Sequence, residues 1–91
     1  MNEEFPFDLT AHARQVVAER RIVLAWVARV LSSPERTEPD SDDPELHHAL
    51  GSISEHGGRV LRVVYNRTTS PWRIVTAYFD RRERRKHEGP F

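Results

Sequence analysis

A chain of 91 residues with 14 basic and 14 acidic side chains, 37% hydrophobic and 31% charged, has the size of one small domain and the composition of a globular protein. It has no cysteine, which excludes disulfides, thiolate metal sites and a cysteine nucleophile. The net charge of zero conceals a dipole: residues 1–58 carry 5 basic against 11 acidic side chains and residues 59–91 carry 9 against 3, so the C-terminal part suits an anion.

No apolar run approaches the roughly 20 residues of a membrane span, and the acidic start lacks the basic and apolar regions of a signal peptide. A cytoplasmic protein with no membrane partner is expected. Thirteen of the 14 basic residues are arginine, the side chain that grips phosphate with a two-pronged fork.

Residues 1–8 read as a lead-in with Phe5 and Phe7 as anchors. Thr10 is a plausible N-cap for a helix over residues 10–20, on which His12, Val16 and Arg20 recur at a spacing of four and share a face. A second helix over residues 22–31 carries an apolar stripe of Val23, Trp26, Val27, Val30 and Leu31, and Ser32, Ser33 and Pro34 end it. Residues 35–44 form an acidic loop with room for a short strand at 36–38.

Residues 46–54 alternate weakly as a strand, and Glu55-His56-Gly57-Gly58 makes a hairpin turn. The next strand, residues 59–65, puts Val60, Arg62 and Val64 on one face and Leu61, Val63 and Tyr65 on the other. After a turn at 66–71, a strand over 72–79 presents Trp72, Ile74, Thr76 and Tyr78 on one side, and Asp80 caps a short helix through about His87. The expected architecture is α+β: two N-terminal helices packed on a three- to four-stranded antiparallel sheet, then a short C-terminal helix. It forms one domain over residues 1–91 with its core at about 9–86.

Five short motifs carry a resemblance. They are Leu9-Thr10-Ala11-His12-Ala13, Glu19-Arg20-Arg21-Ile22, Val30-Leu31-Ser32-Ser33-Pro34-Glu35, Leu61-Arg62-Val63-Val64-Tyr65 and the run from Arg73 through Tyr78 to Arg81. In this order they resemble a family of small bacterial proteins carried as a domain of unknown function, which looks like a relative of the BrnT toxins. BrnT chains also place two helices before a sheet and end in a strand close to Arg-Ile-Ile-Ser-Ala-Arg followed by an arginine-rich helix. Tyr78 stands where that pattern has Arg, and a Lys-rich early segment is missing. The resemblance implies a fold similar to the RelE-like and barnase-like ribonucleases and the role of the toxin in a toxin–antitoxin pair, with RNA and an antitoxin protein as partners.

Metal-free RNA cleavage needs a base for the ribose 2′-OH, cations for the phosphorane and an acid for the leaving oxygen. No cofactor and no metal site are expected: the spacing of His47, His48, His56 and His87 fits no ligand motif. His12 is the candidate acid or base, against the plainer alternative of a capping or packing histidine. Arg20, on the same face, suits a phosphate; its plain alternative is pairing with an acidic loop. Arg62 lies mid-strand among valines, so either a carboxylate holds it or it lines a cleft, and the cleft is the expectation. Thr76 and Tyr78 share a strand face and suit substrate positioning. Arg73, Arg81, Arg82, Arg84, Arg85 and Lys86 form the expected RNA-holding surface. A binding module without catalysis, using the same basic segment on nucleic acid or protein, is the alternative, and the dipolar charge leaves room for a homo-oligomer.

Overall fold

The computed structural model describes residues 6–83. In chain order these form β1 (Asp8–Leu9), α1 (Ala11–Glu19), α2 (Leu24–Ser32), β2 (Arg36–Pro39), β3 (Leu46–Ile53), a 3-10 turn (Ser54–His56), β4 (Arg59–Asn66) and β5 (Arg73–Phe79). Neither helix is long and apolar enough to cross a membrane.

Local chemistry sets the helix ends. Thr10 caps α1, its hydroxyl accepting from the Ala13 amide at 3.0 Å. The far end closes with Ile22 N–H donating to the Val17 carbonyl at 2.9 Å and Arg21 N–H to Ala18 at 3.2 Å. This is a Schellman closure, with Arg21 at φ 56° in the left-handed position usually held by glycine. The hydrophobic pair that accompanies such a closure is Val17 and Ile22, both buried in the core. Helix α2 has no side-chain cap and owes its place to burial of Val27, Val30 and Leu31.

The sheet has five strands in the order β1-β5-β4-β3-β2, with β1 parallel to β5 and the other neighbours antiparallel. The expected three- to four-stranded antiparallel sheet is therefore corrected to a mixed five-stranded one. The parallel addition is two residues long, too short for any hydrophobic period, and is held by Asp8 N–H to the Trp72 carbonyl at 2.9 Å and Thr10 N–H to Ile74 at 3.0 Å. At the opposite edge, β2 is recruited from the acidic loop by pairing with β3.

The expected C-terminal helix is also corrected. Residues 80–83 form a turn, with Glu83 N–H donating to the Asp80 carbonyl at 3.1 Å, because the Asp80 side chain is drawn into the sheet by Arg62 at 2.8 Å. Among the described residues no helix follows β5. Arg84, Arg85 and Lys86 lie outside the described residues.

Both helices cover one face of the sheet. Ala13, Val17, Ile22, Val27, Val30 and Leu31 pack there against Ala49, Ile53, Leu61, Val63, Tyr65, Ile74 and Ala77. Gly51 allows the close approach of α2, since a Cβ there would stand 3.2 Å from Val30 Cγ2. A bulge breaks the alternation of β5: Val64 pairs with Thr76 but Tyr65 with Ile74, which leaves Val75 as the extra residue. Ile74 thus faces the helices with Ala77, and Thr76 and Tyr78 face away with Arg62.

Candidate functional site

The face of the sheet away from the helices carries a polar network centred on Arg62, which is only 6% exposed. Its Nε donates to Asp80 Oδ2 at 2.8 Å, Nη1 to Glu38 Oε2 at 2.7 Å, and Nη2 to Glu83 Oε2 at 3.3 Å. Nη1 also donates to Nδ1 of His48 at 2.8 Å. That nitrogen must hold the lone pair, so Nε2 carries the proton that His48 donates to Asp40 at 2.7 Å. Arg36 adds a contact to Glu83 at 3.0 Å.

Burial pushes the Asp80 carboxyl upward, yet the Arg82 amide and the Arg62 guanidinium outweigh it and hold it below the usual carboxylate range. Arg62 keeps Glu38 low in the same way, and His48 does so for Asp40. Burial opposes the Arg62 charge, but Glu38 and Asp80 more than offset it. Four carboxylates thus surround Arg36, Arg62 and Arg82, leaving one surplus negative charge with His48 neutral. Among the described residues, the face over β2, β3 and β4 carries an ion-pair lattice that joins the β2 edge to the exit of β5.

A second arrangement has the opposite character. Beyond its two residues paired with β1, the outer edge of β5 is met by side chains from α1. Thr10 donates to the Val75 carbonyl at 3.4 Å and Arg20 Nη1 to the Ala77 carbonyl at 3.0 Å. Around this edge runs a cleft of about 690 Å³ lined by Arg20, Arg59, Thr76, Tyr78, Phe79 and Arg81. The Arg59 guanidinium lies over the Phe79 ring, 5.3 Å from its centre. Among the described residues, none of these three arginines pairs with a carboxylate. Tyr78 faces Arg62 across the β4–β5 pair.

The structure therefore brings Arg20, Thr76, Tyr78 and Arg81 of the expected site residues into one cleft. It places Arg62 in the ion-pair lattice, the carboxylate-held alternative of the sequence reading. His12 is exposed on the first turn of α1 and is not among the lining residues. The helical rise sets it roughly 12 Å from Arg20 along the axis. Arg73 is half-exposed, 4.0 Å from Asp8. Arg82 is 83% exposed and bends back to Asp80 at 3.4 Å. Sequence reasoning missed Arg59 and Phe79 in the cleft, and Glu38, His48, Asp80 and Glu83 as the partners of Arg62. The available signal for Arg59 was a charge at the start of a strand on the same face as Leu61.

Such a cleft on a small mixed sheet defines an α+β domain with a cluster of arginines at one sheet edge. Residues 9–79 match the profile of DUF4258, a domain of unknown function, and the chain belongs to that family. No curated protein and no solved structure matches it.

Proposed function

We propose that the chain is a metal-independent endoribonuclease of the toxin type, with single-stranded RNA held along the outer edge of β5. One observation carries the reading: Arg20, Arg59 and Arg81, unneutralised by carboxylates among the described residues, converge on Tyr78 and Thr76. Uncompensated guanidinium groups bind phosphate oxygens and supply the charge that a phosphorane needs. Tyr78 and Phe79 offer aromatic surface to a base. The resemblance of the two helices before a sheet and of the closing strand, Arg73 to Tyr78, to the BrnT toxins supports the same reading, and with it a cytoplasmic site of action and an antitoxin partner.

The lattice around Arg62 enters as scaffold. It fixes β4 against the turn at Asp80, which sets where Arg81 leaves the strand. The test is incubation of the purified full chain with single-stranded RNA in excess chelator. The expected products carry 2′,3′-cyclic phosphate ends and are lost in Arg20→Ala and Arg59→Ala; cleavage unchanged in both variants removes the cleft from the mechanism.

One observation favours a binding module without catalysis: neither a histidine nor a carboxylate lines the cleft. That reading predicts salt-sensitive RNA binding and no product at any protein concentration.

A further inference from the structure

We propose that His56 is the proton acceptor of this site, an inference that rests on the ribonuclease reading of the cleft. His56 closes the 3-10 turn, and Gly57 and Gly58 follow at φ 69° and 74°, a reversal that side chains with a Cβ rarely allow. The reversal sets the imidazole against the wall of the cleft. Its ring lies 4.5 Å from that of Phe79, tilted by 31°, with Trp26 of α2 at 5.5 Å. Its Nε2 is 3.5 Å from Nη1 of Arg59. Phe79 and Arg59 both line the cleft, so His56 stands directly behind its wall.

A guanidinium only donates, so the contact with Arg59 is met when Nε2 holds the lone pair and Nδ1 the proton. The basic nitrogen is then the one turned toward Arg59. The charged neighbours are few. Arg59 comes from β4, while Glu55 of the same turn is held by Arg29 of α2 through two contacts at 2.9 and 2.7 Å.

The other described histidines are placed for different work. His48 has both nitrogens engaged, by Arg62 and Asp40. His47 packs near Tyr65 with its Nδ1 enclosed. His12 is two helical turns from Arg20.

In the reaction Arg59 turns from Nε2 of His56 to a phosphate oxygen, the ribose 2′-OH gives its proton to the Nε2 lone pair so released, and the 2′-oxygen bonds to phosphorus. The P–O5′ bond breaks with its electron pair on O5′, which takes the proton of the Tyr78 hydroxyl. Water reprotonates Tyr78, and the imidazolium returns its proton to solvent. The products are a 2′,3′-cyclic phosphate and a 5′-OH.

The experiment measures cleavage of a short single-stranded RNA by the full chain in chelator, from about pH 5 to about pH 8. The wild-type rate is expected to rise with pH, as for any reaction that needs an unprotonated base. His56→Gln should lower the rate by about 100-fold or more and flatten that rise, while RNA affinity and the urea midpoint stay at wild-type values. Added imidazole should restore part of the rate to His56→Ala, which a merely structural role would not allow. Wild-type rate and pH profile in His56→Gln, or loss of both only in His12→Gln, overturn the assignment and leave the ribonuclease reading intact. Wild-type protein that binds the RNA without cleaving it overturns the reading itself.

Discussion

Replacing Arg62 with methionine tests the division between scaffold and site. Methionine keeps much of the apolar stem but removes three charge-assisted hydrogen bonds to carboxylates. Glu38 and Glu83 are open enough to turn to water, whereas the Asp80 side chain is 3% exposed and has no such exit. Asp80 then keeps only the Arg82 amide at 3.0 Å and the exposed Arg82 side chain at 3.4 Å, and removing one partner of a buried ion pair costs about 3–5 kcal/mol, against a total stability of about 5–15 kcal/mol for a small domain. Urea denaturation followed by fluorescence of Trp26 and Trp72 should therefore show a midpoint lowered by about a fifth or more. The double replacement Arg62→Met with Asp80→Leu should recover most of that loss, because neither charge is then left alone. A loss under about 1 kcal/mol in Arg62→Met, or no recovery in the double variant, refutes the reasoning. Where Arg62→Met remains folded, it should bind RNA as the wild type does.

Each of Arg20→Ala, Arg59→Ala and Arg81→Ala should weaken RNA binding and reduce the slope of log affinity against log salt by about 0.7, read by fluorescence anisotropy of a labelled single strand. Acid should destabilise the fold in a defined direction. Asp80, Glu38, Asp40 and Glu55 have folded pKa values below their unfolded ones, and Glu55 is held at about 2 by Arg29. Their contribution is complete above the unfolded values near about 4. It is lost as pH falls through the folded values, which urea midpoints taken between about pH 5 and pH 2 will show. Gly51→Ala should cost about 1–3 kcal/mol by pressing on Val30, with partial relief in Gly51→Ala combined with Val30→Ala.

Elements with strong periodicity were legible in the chain: the stripe of α2, and the alternation in β4 that places Leu61, Val63 and Tyr65 inward. What escaped was set by tertiary contact. Strand β1 exists because two residues find Trp72 and Ile74, and Arg21 adopts a left-handed conformation because Val17 and Ile22 reward the closure. The bulge at Val75 moved Ile74 to the face of Ala77, a change of side that strict alternation cannot express. Of the cleft, Arg20, Thr76, Tyr78 and Arg81 were legible as polar groups on suitable elements. Arg62 drew attention for a sound reason, a charge among valines, but its partners arrive from β2, β3 and the turn after β5, too far apart in sequence to be counted together. His56 was absorbed into a hairpin turn, since nothing local shows that Phe79 comes to lie beneath it.

The most direct test is titration of the ¹⁵N-labelled chain with a short single-stranded RNA, followed amide by amide. Perturbations concentrated at Arg20, Arg59 and Thr76 through Arg81, with Glu38 and His48 unmoved, are the predicted result. Perturbations centred on Glu38, His48 and Arg62 with the outer edge of β5 silent would contradict it.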